Sequence, residues 1–198
     1  KCWEFPCAVP SDWEAQNLIG NKNPQMLEDW KRALDVTVLK QGVMNLCFHP
    51  HGWSSSEQFV SFINYAEEKY GGKVKFLNFK ECLDRLNKHL LGNNPLRQSD
   101  GGDNGVRILD LNDDGFMDVL IGNESKKTSR VWQPKTNQWL ETKLPFSILP
   151  KNSQNAETVI FGVLTEDQHA SAIVPPNLSV EPGKKKETMF WQFKDNAW

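Results

Sequence analysis

Apolar residues recur every three or four positions from Asn23-Pro24 to Gln41, at Met26, Leu27, Trp30, Ala33, Leu34 and Val38, and Gly42 follows. This spacing predicts a helix with one buried face. Val43-Met44-Asn45-Leu46-Cys47-Phe48 is a short, mostly apolar run of the kind found in strands of a parallel sheet, and it ends on His49-Pro50-His51-Gly52-Trp53. Ser54-Ser55-Ser56-Glu57 reads as a capping box, with the Ser54 hydroxyl accepting the Glu57 amide and the Glu57 carboxylate reaching back. The helix it opens runs through Phe59, Phe62, Ile63, Ala66 and Tyr70 to Gly71-Gly72. A strand from Val74 to Phe79 and a third helix from Lys80 to Leu91 complete the order, the helix carrying Cys82, Leu83, Leu86 and Leu90 on one side. Alternation of this kind predicts an α/β fold in which a parallel sheet is wrapped by helices, the closing βα units of an incomplete or distorted barrel. Two strands do not make a self-sufficient α/β domain, so further strands are expected upstream.

Residues 92–105 are rich in turn formers and almost devoid of apolar groups, which marks a linker. Beyond it the period becomes two. Val106-Arg107-Ile108-Leu109 and Asp118-Val119-Leu120-Ile121 flank a polar turn as two strands of a hairpin would. The segment Trp132-Gln133-Pro134-Lys135-Thr136-Asn137-Gln138-Trp139 recurs 59 positions later as Trp191-Gln192-Phe193-Lys194-Asp195-Asn196-Ala197-Trp198, with five of eight residues identical. A period near that of a propeller blade, in an all-β context, predicts propeller-like repeats: two incomplete blades in residues 106–198. Two blades leave a propeller open, so the remaining blades are expected beyond Trp198, and the chain reads as a fragment at both ends.

Composition narrows the partners. Lysine and arginine total 23 against 25 acidic residues, and no basic stretch alternates with aromatics, which argues against a nucleic-acid partner. No apolar run is long enough to cross a bilayer, and Lys1-Cys2-Trp3-Glu4-Phe5-Pro6 carries neither an initiator methionine nor a signal-peptide pattern. The four cysteines, Cys2, Cys7, Cys47 and Cys82, fall in no metal-cluster spacing and are expected to be buried, unpaired thiols. Eight tryptophans suggest β-repeat packing or sugar-binding surfaces.

Asp110-Leu111-Asn112-Asp113-Asp114-Gly115-Phe116-Met117-Asp118 places oxygen side chains at positions one, three, five and nine and glycine at six. With that spacing Asp110, Asn112, Asp114, the Phe116 carbonyl and Asp118 can converge on a hard cation, and Ca2+ is the expected occupant. Position twelve is Ile121 and the flanks read as strands, so this is not an EF-hand, and a cytosolic calcium sensor is disfavoured. The alternative is an acidic turn that only solvates a hairpin. The corresponding stretch in the second repeat, Val163 to Ser171, keeps few ligands and no glycine and is expected to bind nothing.

His49 and His51 emerge at the end of the Val43–Phe48 run, where parallel folds carry their chemistry, so a histidine there is placed for acid–base work. The alternatives are a turn whose histidines only pack or cap the next helix, and an HxH metal pair.

Val9-Pro10-Ser11-Asp12-Trp13-Glu14, then Leu46-Cys47-Phe48-His49-Pro50, then a final helix-strand-helix, resembles the carboxyl-terminal part of the NodB-like polysaccharide deacetylases over residues 1–91. Val106 to Trp139 resembles an FG-GAP or VCBS repeat of the integrin-type propeller. The first resemblance implies a metal-dependent carbohydrate N-deacetylase, a hydrolase acting on acetamide groups of an N-acetylated polysaccharide. It implies His49 as the acid that protonates the departing amine, Asp12 as the carboxylate stabilising its imidazolium form, and Trp13, with His51 and Trp53, on the substrate side. Where relatives carry a further acidic residue upstream of the Asp-Trp step, this chain has Val9. The catalytic divalent metal, zinc by the resemblance, is expected in an N-terminal half outside these residues, leaving the chain alone inactive. Together the resemblances imply a bacterial exported protein, periplasmic, surface-bound or secreted, whose partner is a polysaccharide or glycan. A second reading is a non-enzymatic carbohydrate-binding or adhesion protein that works through its propeller.

Overall fold

The computed structural model of the chain describes residues 3–7, 10–149, 158–176, 178 and 187–198. Cys2 and Val9 lie outside the described residues. The chain divides into two compact units, Lys1–Glu81 and Cys82–Trp198. Residues 92–105, read from sequence as a linker, fall within the second.

The first unit is helical. Helix α1, Asp12–Ile19, opens with a complete capping box: the Ser11 hydroxyl accepts the Glu14 amide at 3.2 Å, and the Glu14 carboxylate accepts the Ser11 amide at 2.8 Å. Removing this cap by Ser11→Ala should lower the unfolding free energy of the first unit by about 1 kcal/mol in urea denaturation, and an unchanged midpoint would contradict it. Helix α2, Pro24–Leu39, is capped by Asn23 and has proline at its first position. Helix α3, Ser56–Tyr70, has its capping box one residue later than the sequence suggests, at Ser55 and Gln58. Gln58 wins because its amide group also donates to the Asn23 carbonyl at 3.0 Å and is buried there.

The expected parallel barrel is absent. Among the described residues the strands form two antiparallel sheets, both in the second unit, and neither Val43–Phe48 nor Val74–Phe79 is a strand. The 43–48 segment joins no ladder and is held by its side chains. Its even positions, Met44, Leu46 and Phe48, turn to the α2–α3 core, and Asn45 on the other side donates to the Phe5 carbonyl at 2.8 Å. An apolar run of this length does not by itself distinguish a buried strand from an extended segment lying on helices. In 74–79, Phe76 and Leu77 are exposed and Asn78 is a helix cap, exchanging hydrogen bonds with Glu81 at 2.9 Å in each direction.

Trp30 centres the core of the first unit. It is fully buried, packs its ring against Phe48, Phe59 and Phe62, and donates its indole N–H to the Pro10 carbonyl at 3.0 Å. On the flank of the same pair of helices, Asp35 of α2 accepts from Tyr65 and Tyr70 of α3 and from Lys69. Burial works to raise the Asp35 carboxyl, but the hydrogen bonds from Tyr70, Lys69 and Tyr65 outweigh it and hold it below the usual carboxylate range.

Helix α4, Phe79–Arg85, is followed by a π-helical turn, Leu86–Leu90. Strands β1 (Val106–Leu109), β2 (Asp118–Gly122), β3 (Lys127–Gln133) and β4 (Gln138–Lys143) form an antiparallel sheet in chain order. Strands β5 (Ile160–Val163), β6 (Ala170–Val174) and β7 (Met189–Gln192) form a second. All five residues of β2 are buried, because both faces of its sheet are covered. On one side Leu120 and Val131 join Leu144, Phe146, Ala172, Val174 and Phe193 in a core shared with the second sheet. On the other, Val119 and Ile121 pack with Leu91 and Val106.

The repeated tryptophan segments do not fold alike. In the first, Trp132 pairs with Trp139 across a hairpin closed by Gln133 and Gln138, leaving a four-residue turn. In the second, Lys194 pairs with Ala197 across the two-residue turn Asp195-Asn196, where φ is +50° and +61°. Trp191 therefore sits on β7 opposite Ala172, while Trp198 reaches the first sheet and donates its indole N–H to the Ser129 hydroxyl at 2.8 Å.

Candidate functional site

Ser11 fixes the start of α1, and this places Asp12 in its first turn with its side chain completely buried. The Asp12 amide donates to the Cys47 carbonyl at 3.4 Å, which brings the end of the 43–48 segment against the helix N-terminus. There His49 donates twice to the same carboxylate, from its backbone N–H to Oδ2 at 2.7 Å and through its ring Nδ1 to Oδ1 at 2.8 Å. Facing a carboxylate oxygen, Nδ1 is the nitrogen placed to donate, which leaves Nε2 as the working nitrogen of the ring. The His49 side chain is 38% exposed, so the ring is anchored at one end and open to solvent at the other.

His51 and Trp53 complete the cluster. The His49 and His51 rings are stacked with centroids 6.0 Å apart, and Trp53 lies 4.9 Å from His49 and 5.0 Å from His51. The loop is tied back through the Trp53 carbonyl, which accepts the Lys22 amide at 2.7 Å. The arrangement offers an oriented proton donor or acceptor beside a half-exposed aromatic face. Trp13 is 53% exposed on α1 and joins none of the ring contacts of this cluster. The structure thus brings together Asp12, His49, His51 and Trp53, and leaves Trp13 outside.

The catalytic metal that the resemblance implies is expected in an N-terminal half outside these residues, and the Asp12–His49 cluster is not its expected seat. Both Asp12 oxygens are engaged by His49, and among the described residues no group of three or more His, Cys, Asp or Glu side chains is arranged to hold a metal.

The 110–118 loop in the second unit joins β1 to β2 and is laced by its own acidic side chains. Asp110 accepts the Asp114 amide at 3.2 Å and the Gly115 amide at 2.7 Å, and Asp114 accepts the Phe116 amide at 2.9 Å. The loop turns through Asp113 at φ +58° and Gly115 at φ +80°, and the second of these explains the glycine at position six. Asp118 is fully buried, and its two oxygens accept the amides of Leu111 at 3.0 Å and Trp132 at 2.7 Å. Burial pushes its carboxyl up to about 6; the Trp132 and Leu111 amides pull the other way, and the negative charges of Asp114 and Asp110 add to the rise. Asn112 Oδ1 is buried and accepts no hydrogen bond among the described residues. The 110–118 carboxylates are not gathered about one point in this structure; a cation in the loop would offset the repulsion that Asp110 and Asp114 exert on Asp118 and give Asn112 Oδ1 a partner, which is the donor chemistry calcium takes.

The corresponding loop between β5 and β6 is organised differently. Asp167 accepts from the Thr165 hydroxyl at 2.7 Å and from the Gln192 side chain at 2.6 Å, which satisfies its carboxylate without a cation. The two loops adjoin, since the Ala170 amide donates to the Leu111 carbonyl at 3.0 Å.

Helix α1 was missed from sequence although Ser11-Asp12-Trp13-Glu14 carries the S-x-x-E cap signature. The cysteines also differ from expectation: Cys82 is buried, Cys47 half-buried and Cys7 exposed. No helix among the described residues is long and apolar enough to cross a membrane. No protein-family model matches the chain, and comparison with curated proteins and with solved structures finds no match.

Proposed function

We propose that the Asp12–His49 pair is the acid–base element of a site for hydrolysing acetamide groups on an N-acetylated polysaccharide, in a chain that also carries a calcium-binding β-loop. The observation that carries the reading is the 2.8 Å contact between a fully buried carboxylate and the Nδ1 of a half-exposed imidazole. In such a pair the carboxylate orients the ring and stabilises its protonated form, and Nε2 delivers a proton to the departing amine. Trp53 and His51 supply flat faces against which a sugar ring packs.

The test is saturable binding of N-acetylglucosamine oligomers to the chain, followed by NMR of the histidine and indole signals. The expected outcome is movement of the His49 and Trp53 resonances and a loss of roughly tenfold in affinity on His49→Ala, about 1.4 kcal/mol. Equal binding of the fully deacetylated oligomer, or no shift at either residue, would refute the substrate class.

A second reading, a non-enzymatic glycan-binding or adhesion protein, is favoured by the calcium loop and its unpartnered Asn112 Oδ1. It predicts glycan binding that depends on Asp114 rather than on His49.

A further inference from the structure

The connection from α3 to α4 holds its large apolar side chains in water: Phe76 is 58% exposed, Leu77 40% and Phe79 60%. This connection is fixed at both ends. At one, Val74 packs against the α2–α3 core and its amide donates to the Gly71 carbonyl at 3.1 Å. At the other, Asn78 and Glu81 exchange the hydrogen bonds that start α4, and Phe79 stacks on Phe5 with ring centroids 5.2 Å apart. The exposure therefore belongs to an anchored segment and not to a fraying end. Three large apolar side chains this close together in solvent mark an interaction surface.

Basic residues bracket the patch. Lys73 and Lys75 precede Phe76, Lys80 follows Phe79, and all three are exposed. Among the described residues neither Lys73 nor Lys75 forms an ion pair. The adjoining acidic residue, Glu81, has its carboxylate turned back onto the Asn78 amide.

We propose that residues 73–80 are a peripheral anchor for an anionic lipid bilayer, with Phe76, Leu77 and Phe79 entering the headgroup–acyl boundary and the lysines meeting the lipid phosphates. Apolar side chains bracketed by lysines match both layers of such a surface, hydrocarbon below and negative charge above. A two-fold contact between copies of this chain would instead set the same lysines against each other, which charge repulsion opposes. The proposal is independent of the reaction assigned to the Asp12–His49 pair.

The experiment sediments the full chain with vesicles of phosphatidylcholine alone and with vesicles in which about one-third of the lipid is phosphatidylglycerol. The expected result is saturable binding to the anionic vesicles, little to the neutral ones, and weakening as salt rises. Phe76→Ser should lower the partition coefficient roughly tenfold. Replacing Lys73 and Lys75 together by glutamine should lower it by roughly 25-fold, about fivefold for each charge. Val60→Ser is the matched control: Val60 is 55% exposed on α3, outside the patch, and its loss should leave binding unchanged. Circular dichroism and the urea midpoint should show Phe76→Ser as folded as the unsubstituted chain. No binding to anionic vesicles, equal binding to neutral ones, or equal losses for Phe76→Ser and Val60→Ser would overturn the proposal. Self-association without vesicle binding, abolished by Phe76→Ser in analytical ultracentrifugation, would overturn it in favour of a second copy of the chain.

Discussion

Trp30→Ala is expected to destabilise the first unit by about 3–5 kcal/mol, a large part of the 5–15 kcal/mol that holds a typical domain together. The indole is fully buried against Phe48, Phe59 and Phe62, which come from the 43–48 segment and from α3. The substitution also removes the N–H that the Pro10 carbonyl accepts, and Pro10 leads directly into the Ser11 cap and Asp12. Loss of structure should therefore reach the Asp12–His49 pair as well as the core. Urea denaturation monitored by near-ultraviolet circular dichroism measures the first effect, and the His49 ring resonances report the second. Trp13→Ala is the matched control: Trp13 is 53% exposed, so its removal should change stability by no more than about 0.5 kcal/mol. Equal losses for the two substitutions would contradict the placement of Trp30.

In the second unit the expected result is a pH dependence whose sign calcium reverses. Asp118 titrates at about 6 in the folded chain against 3.8 for an unperturbed carboxyl, so the folded form binds the proton more tightly. The stabilisation is fully present below the unfolded value and is lost as pH rises through about 6. In chelator, the second unit should thus be more stable at about pH 4.5 than at pH 7.5, by on the order of 1–2 kcal/mol. Calcium binds the ionised carboxylates, so at a hundredfold excess over its dissociation constant it should add about 2.7 kcal/mol at neutral pH and far less in acid. Asp114→Ala should abolish the calcium effect. It should also lessen the pH dependence in chelator, because one of the charges raising Asp118 is gone. Melting curves at the two pH values, with calcium and with chelator, decide the matter. A calcium-independent curve from folded protein would reduce the loop to a solvated acidic turn.

What the sequence disclosed follows from where its information is local. Helix α2 was legible because six apolar residues repeat with the helical period and Asn23-Pro24 marks the start. The cap of α3 was misplaced by one residue because Ser54, Ser55 and Ser56 are equivalent in pattern, and only the tertiary bond from Gln58 to Asn23 selects among them. The parallel barrel was inferred from two short apolar runs. Whether such a run becomes a strand depends on a partner strand that no local pattern encodes, and the 43–48 run is paired instead with helices and with the Phe5 carbonyl. The tryptophan repeat was plain to see, yet a two-residue turn in one copy and a four-residue turn in the other give its tryptophans different neighbours. Asp12 and His49 could be coupled on paper only through the resemblance, and their contact spans 37 residues. Trp13 adjoins Asp12 in sequence, but the helix turns its ring elsewhere.

The chain-order meander of the first sheet has a bearing on how the protein acquires its structure. Each pairing, β1 with β2, β2 with β3 and β3 with β4, joins neighbours in sequence, so forming it closes only a short loop. The Asp12–His49 contact must instead bridge an intervening helix and its connections. On refolding from denaturant, amide protection should therefore appear in strands β1–β4 before His49 finds its carboxylate, and the acid–base pair should be among the last features of the native state to form.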